Sequence, residues 1–417
     1  MTADMTASKR EDASLEKQRP FDRLIFLQNG FFSEKGHWIH EIRSWRKAVL
    51  EAGMAWHGFA HVRLPPEVAV REGVDPCIPF LPGQSLRPFT PKERLRAFLS
   101  GAQILPEVLK KHYPGEPSSR DLIYASYATD VEMIGMARWL DMLPADRRPA
   151  VAFAFHHPSH EWRTDPEKMR IEGDAHRWLC ARELLSECSE RIRYVAAFPV
   201  LARELSRLLG TEVLTLTHTC QMMEGDLPEH PEKLHDFGIF GSGRPEQGVA
   251  LGSALVSRIL AGNPGVNILT QSPAGAQGES LREIAGKKDL SGRITLFASG
   301  NADDDYLRHM MGCRVILIPY DPAYYGLRSS MVFYEAAYLG IPVVAHSRTP
   351  MGRMILSGIA SGVTYERQDR EAITNAAMSA LEHLPELSKR AVLLRDMWRS
   401  RLSASTLLGQ LCSAFSA

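Results

Sequence analysis

Asp321, Arg328, Ser329, Ser330 and Glu335 fall within one stretch, Leu317–Val344, which reads LIPYDPAYYGLRSSMVFYEAAYLGIPVV. The pattern is a strand ending near Pro319-Tyr320, a polar loop, and a helix that starts near Ser330. Gly340-Ile341-Pro342 then returns the chain to a strand. Ser329 or Ser330 is placed to cap that helix, so the N–H groups of its first turn point into the loop. A helix N-terminus beside an arginine is an anion site suited to a diphosphate. Glu335, one to two turns in, is placed to accept hydrogen bonds from ribose hydroxyls. A capped helix with a surface arginine is also common for structural reasons alone, so this stretch leaves both readings open.

A second group follows the apolar run Ala150–Phe155 (AVAFAF): His156, His157, His160 and Glu161 within HHPSHEW. Metal ligands need a fixed spacing on one face, as in H-E-x-x-H on a helix. Pro158 argues against a helix through the first two histidines and no cysteine lies close, so no metal is assigned. The remaining readings are a polar cluster facing a ligand and a histidine cluster packed within a loop. Between a first strand and a first helix lies Gly30–Gly36 (GFFSEKG), which lacks the G-x-G-x-x-G spacing of a dinucleotide fingerprint. It offers Lys35 and His37 as polar groups. Thr129–Glu132 (TDVE) reads first as a helix cap, and His218 ends a strand in LTHT. Asp303-Asp304-Asp305 opens a helix, where acids complement the dipole. Trp38, Trp45 and Trp162 are core candidates before they are sugar-stacking ones. No G-x-S-x-G elbow and no Walker loop is present.

These residues sit at the ends of short apolar runs that alternate with amphipathic helical stretches. Strands are expected at Arg23–Leu27, Asp121–Tyr124, Ala150–Phe155, Arg193–Ala196 and Glu212–Leu216, with helices over His37–Ala52, Val131–Leu140, Glu167–Cys188 and Val200–Leu209. Met222–Asp236 is acidic, Pro-bearing and aperiodic, as a linker would be. The alternation then resumes, with strands near Phe237, Val266, Ile294, Val315 and Pro342. Such alternation implies parallel β-α-β units, and ligands in such sheets bind beyond the carboxyl ends of the strands. The expected fold is α/β: two Rossmann-like domains with parallel sheets facing a central cleft. Residues 1–20 form a disordered tail, 21–225 the first domain, 236–395 the second, and 396–417 a C-terminal helix packing back on the first.

The 417 residues carry 49 Lys+Arg against 49 Asp+Glu. That balance argues against bulk electrostatic capture of nucleic acid or an anionic membrane. Six cysteines, at 77, 180, 188, 220, 313 and 412, show no C-x-x-C pair or disulfide framework and read as reduced, mostly buried cytosolic thiols. The N-terminal stretch has no apolar signal core. Peripheral contact with the inner face of the membrane is left open through Ile42–Leu50, whose Trp45, Val49 and Leu50 core burial would satisfy equally.

The segment Glu335-Ala336-Ala337…Gly340-Ile341-Pro342-Val343-Val344 resembles the nucleotide-sugar signature of retaining GT-B glycosyltransferases, the group often called family four. Phe240–Gly248 (FGSGRPEQG) resembles the family's "G-R-x-x-x-K-G" turn, whose Arg and Lys clamp the diphosphate. Val266–Gln271 and Ile294–Asn301 sit where the family places its next two strands. The similarity is best over about residues 237–365. Two positions depart from the pattern: Leu327 stands eight before Glu335, where an acid is expected, and Gln247 stands in place of the phosphate-binding Lys.

The resemblance implies a hexosyltransferase-like enzyme that moves a sugar from a UDP- or GDP-sugar to a hydroxyl of a glycan, lipid or small molecule, with retention and no bound metal. Donor-site residues carried over are Arg244, Gln247, Gln271, Arg328, Ser329, Ser330, Glu335 and, in the first domain, Gly30. His156 or His157 would orient the sugar, and Asp321 is the nearby acid that substitutes for the missing one. Arg244 and Arg328 would share the diphosphate. The implied setting is cytoplasmic surface-polysaccharide or glycoconjugate assembly, with no nucleic-acid partner. Two other readings share the fold: a nucleotide-sugar epimerase using Glu161 or Asp321, and a non-catalytic binding module consistent with Gln247 and Leu327.

Overall fold

The computed structural model describes residues 20–34, 37–79, 90–156, 163–165, 170–172, 175–219, 231–241, 244–272, 275–290, 292–298 and 303–416. The first sheet is built from β1 (Arg23–Gln28), β2 (Ala55–His61), β3 (Val74–Ile78), β4 (Asp121–Ser126) and β5 (Ala150–Phe155). A small antiparallel pair, β6 (Arg163–Asp165) and β7 (Arg170–Glu172), stands apart, and β8 (Ile192–Ala196) and β9 (Val213–Thr215) complete the main sheet. Its order is β3-β2-β1-β4-β5-β8-β9, parallel throughout. Both faces are covered, so the strands read as unbroken apolar runs rather than alternating ones. Along β1, Leu24 and Phe26 enter one core while Ile25 and Leu27 enter the other. Pro76 is tolerated in β3 because that strand lies at the sheet edge.

The covering helices are α1 (His37–Glu51), α2 (Pro66–Glu72), α3 (Pro91–His112), α4 (Asp130–Asp141), α5 (His176–Leu184) and α6 (Pro199–Leu209). α3 starts with a capping box in which Glu93 N–H bonds Thr90 Oγ1 and Thr90 N–H bonds Glu93. The helix expected over Glu167–Cys188 is instead β7, then α5, then 3₁₀ turns at Ser186–Arg191. Ile171 explains the strand: its side chain is buried and its N–H bonds Glu204 Oε2 of α6 at 3.2 Å.

The second lobe repeats the plan with β10 (His235–Ile239), β11 (Ile268–Ser272), β12 (Ile294–Ala298), β13 (Cys313–Ile318), β14 (Val343–His346) and β15 (Gly362–Tyr365), in the order β12-β11-β10-β13-β14-β15. Its helices are α7 (Val249–Gly262), α8 (Ala276–Ala285), α9 (Asp303–Met311), α10 (Pro322–Tyr325), α11 (Met331–Leu339), α12 (Pro350–Leu356) and α13 (Arg370–Glu382). Of the expected linker Met222–Asp236, residues 222–230 lie outside the described ones, and His235 and Asp236 already belong to β10.

Two helices close the chain, α14 (Leu384–Leu402) and α15 (Ala404–Ala414). α14 packs on α11 of the second lobe, running unbroken through residues 395 and 396. The chain turns at Ser403, and α15 then packs on α1 of the first lobe. Leu407, Leu408 and Leu411 join the core that holds Phe26 and Trp45. Arg193 Nε donates to Ala414 O at 2.6 Å.

Ile42, Trp45 and Val49 are buried in that same core and only Leu50 is exposed, so Ile42–Leu50 presents no apolar face to a membrane. No helix among the described residues is long and apolar enough to span one.

In both sheets the strand order reverses beside the first strand of the lobe, between β1 and β4 and between β10 and β13. Adjacent connections leave there in opposite directions, which opens a crevice at the carboxyl ends of the strands.

Candidate active site

The crevice of the first lobe is lined by a buried polar network. Glu41, on α1, accepts from Gln28 Nε2 at 3.1 Å and from Ser126 Oγ at 2.8 Å. Ser126 Oγ lies 3.4 Å from His156 Nε2, at the end of β5. The His156 ring stacks on that of His218, with centroids 3.2 Å apart, and Tyr127 covers the pair at 3.9 Å from His156. Trp38 meets Tyr127 edge-on at 4.2 Å. Beside this network Asn29 Nδ2 donates to Glu132 Oε1, while Glu132 closes a capping box with Thr129. Burial pushes the carboxyl of Glu41 up to about 7, against the hydrogen bonds from Ser126 and Gln28. The same desolvation raises Glu132 to about 7.

Tyr127 has φ of +58°, the one left-handed non-glycine backbone among the described residues. A left-handed tyrosine costs roughly 1–3 kcal/mol, and such residues concentrate at functional sites. The strain lets Tyr127 leave β4 and lie over both imidazoles.

Glu41, His156 and His218 can bring one ligand atom each within 4.8 Å of one another. They are not arranged as a metal centre. Both oxygens of Glu41 already accept hydrogen bonds, and the two rings lie face to face rather than radiating from a common point.

In the second lobe the turn after β10 is fixed by amides. Gly241 N–H donates to Gln271 Oε1 at 2.8 Å, and Arg244 N–H to Gln247 Oε1 at 3.3 Å. A side chain on Gly248 would fail twice: φ is +77°, and a Cβ would lie 2.2 Å from Pro319 O. Gly241, Gln247, Gly248, Thr270 and Gln271 line a hollow of about 460 Å³, open solvent included, at the carboxyl ends of β10 and β11.

Across the turn, Asp321 N–H donates to Glu246 O at 3.1 Å, and Asp321 Oδ1 caps α10 by accepting from Ala323 N–H at 2.9 Å. Ser330 is the cap of α11, accepting from Phe333 N–H at 3.3 Å. The helix gives its first amides, those of Met331 and Val332, no internal acceptor. Arg328 precedes them, partly buried; desolvation lowers its pKa, Tyr325 and Glu246 act to raise it, and Arg244 acts to lower it. Two guanidiniums close enough to repel are what a multivalent anion would relieve. Glu246, 3.8 Å from Arg244, offsets part of that charge. Glu335 is buried, accepts from Tyr306 Oη at 3.1 Å, and is raised by burial to about 7.

The lobes meet here. Leu327, in the loop that carries Arg328, is fully buried in the hydrophobic cluster of the first lobe. Met354 of α12 packs against the cores of both lobes. The charge of Arg244 also reaches the Tyr127 hydroxyl across the cleft.

The structure thus gathers Arg244, Gln247, Gln271, Asp321, Arg328, Ser329 and Ser330 around the β10–β13 crevice, and His156 with His218 in the facing one. Gly30 lies beside the latter, its N–H held by Gln28 Oε1 at 3.0 Å. Glu335 differs in turning inward to Tyr306. Gln247, expected opposite the phosphate, has its carbonyl on the Arg244 backbone. His157, His160, Glu161, Trp162 and Lys35 lie outside the described residues, as does the side chain of His37. Sequence reasoning missed Gln28, Glu41, Ser126 and Tyr127. Their only signal was position: each sits at the end of β1 or β4, or on the helix that follows β1.

No protein-family model matches the chain, and no curated protein matches it in sequence. Solved structures do match. The Anabaena protein HepE in complex with UDP has a TM-score of 0.64 at 13% identity, over 94% of this chain and 99% of that one. A sucrose-phosphate synthase from Thermosynechococcus elongatus scores 0.60 at 14% identity, over 94% and 98%. A glycosyltransferase from Rickettsia africae scores 0.62 at 12% identity, over 95% and 98%. The fold is therefore that of the GT-B glycosyltransferases, two Rossmann-like lobes about a cleft, across nearly the whole chain.

Proposed function

We propose that the protein is a glycosyltransferase that moves a sugar from a nucleotide diphosphate-sugar to an acceptor hydroxyl, with retention and with no metal taking part in the transfer. Residues 236–395 hold the donor and residues 21–225 the acceptor, and of the expected C-terminal segment 396–417 only α15 returns to the first lobe. The observation that carries the reading is the capped start of α11 just after Arg328, tied to the Arg244 turn through Asp321 N–H and Glu246 O, at the strand-order reversal. These groups suit a leaving diphosphate: charge that develops as the glycosidic bond breaks is stabilised by fixed donors already in place. The leaving phosphate then accepts the proton of the attacking hydroxyl on the same face. His156, steadied by Ser126 and His218, orients the sugar, with His157 the alternative from the same turn; Asp321 contacts its hydroxyls. HepE has been solved with UDP and glucose, which supports a UDP-sugar over a GDP-sugar as the first donor to try. Surface-polysaccharide or glycoconjugate assembly in the cytoplasm is the setting this reading favours.

One observation favours a non-catalytic module: Leu327, in place of an acid, is spent on holding the lobes together. Calorimetry against UDP, GDP, ADP, TDP and CMP, repeated with Arg328→Ala, separates the readings. The donor site predicts one diphosphate bound at micromolar strength and weakened at least tenfold by the substitution, about 1.4 kcal/mol. No binding by any nucleotide sinks the donor site; binding without sugar transfer to any acceptor supports the module.

A further inference from the structure

A second cluster lies on the edge strand of the first lobe's sheet. Asp75 and Cys77 are two residues apart on β3, so their side chains share a face. Over that face comes the last turn of α3, and His112 Nδ1 lies 2.7 Å from Asp75 Oδ2. One atom from each of Asp75, Cys77 and His112 falls within 4.8 Å of the others. The neighbouring strand adds His57, whose Nε2 is buried with no hydrogen-bond partner among the described residues. It is close enough to feel the charges of both Asp75 and His112.

We propose that Asp75, Cys77 and His112 bind a divalent transition-metal ion of the zinc type, with water in the fourth position. The ligand set is the first argument. Thiolate, imidazole and carboxylate are the donors that zinc takes in tetrahedral sites. Charge is the second. One thiolate and one carboxylate neutralise a divalent ion, so the half-buried site carries no net charge. Arg23, whose charge reaches His57, is offset by its pairing with Asp121 at 2.7 and 2.9 Å. Access is the third. The side chains of His112 and Asp75 are 28% and 33% exposed while Cys77 closes the inner wall, which leaves an entry path from solvent. Binding exchanges the thiol proton for the metal and releases it to water. The metal-bound water is then a donor for the neighbouring His57. The site joins the edge strand β3 to the end of α3, so its role is to pin the sheet edge.

The test uses the full chain purified without a histidine tag and under reducing conditions. Zinc content is measured after equilibration and gel filtration, and cobalt(II) titrations are followed by absorption. The expected result is one bound equivalent, with a thiolate-to-cobalt charge-transfer band and the d–d bands of a tetrahedral ion. Cys77→Ser and Asp75→Asn should each weaken binding at least tenfold, while Cys180→Ser, at an exposed cysteine, should leave it unchanged. The proposal is overturned by no stoichiometric zinc, by a cobalt spectrum without the thiolate band, or by binding that survives both ligand substitutions. Should Cys77→Ser not fold, the wild-type cobalt spectrum and Asp75→Asn decide alone. If the proposal is overturned, what remains is a His112–Asp75 contact at 2.7 Å over a buried thiol.

Discussion

Replacing Glu41 by glutamine should change how stability depends on pH, and the direction is fixed by the carboxyl's surroundings. Glu41 is buried, and its pKa is raised from 4.5 to about 7 in the folded chain. Between those two values the folded state keeps a proton that the unfolded state has lost. Stability therefore falls as pH rises through this window, and levels off above the folded pKa. A rise of that size corresponds to roughly 3 kcal/mol for this one group. Glutamine stands in for the neutral acid: its carbonyl can accept from Gln28 and its amide can donate to Ser126. Urea unfolding of wild type and Glu41→Gln from pH 4.5 to 8.5 isolates the group, because every other titration cancels in the difference. The variant should gain on wild type steadily between pH 5 and 7.5, by about 3 kcal/mol in all, and hold that gain above. A difference that is flat across the window would refute the desolvation argument. So would one that shrinks as pH rises, since it would mean that the folded protein holds Glu41 ionised by a cation not identified in the network.

Two further substitutions probe the join between the lobes and the turn after β10. Leu327→Ala removes a fully buried side chain from the first lobe's core and should cost about 2–5 kcal/mol; limited proteolysis should then cut the loop near Arg328 sooner than in wild type. Gly248→Ala places a Cβ against Pro319 O at a left-handed φ. It should lower stability in urea by at least about 2 kcal/mol, and any protein that does fold should bind UDP more weakly.

Much of the fold was legible because buried parallel strands are apolar on both faces. AVAFAF, RLIFL and CRVILI need no partner to be read. What was hidden lies between residues 52 and 121, where β2 (AWHGFAH) breaks its apolar run with histidine and glycine and β3 (VDPCI) carries a proline. Both are tolerated near a sheet edge, and edge position is a property of topology, which no local window contains. The expected helix over Glu167–Cys188 held only at His176–Leu184, for a similar reason: Ile171 pairs with Thr164 in β6 and its N–H bonds Glu204, a residue 33 positions away. The second-lobe side of the candidate site was visible through Arg328, the Ser330 cap and the Gly-Ile-Pro return, since helix caps are local chemistry. The facing side was only half visible. His156 could be picked out, but Glu41 and Ser126 lie 115 and 30 residues before it in the chain, and only the sheet brings them together. Leu327 shows the limit from the other direction: the sequence marks it as a departure, while only the packing says what it does instead.

The return of α15 to the first lobe has a consequence for the order in which the molecule can be made. Arg193 and Ala414, which it joins, are 221 residues apart. A chain leaving the ribosome exposes the face around Phe26, Trp45 and Leu122 long before Leu407, Leu408 and Leu411 exist to cover it. Domains ordinarily complete themselves in the order they emerge. Here the lobe that emerges first is finished last, after the second lobe has its own sheet. The nascent first lobe must therefore wait with an apolar surface open, and a stall or nick in the last turn of α14 would strand a molecule whose second lobe is whole and whose first lobe is not.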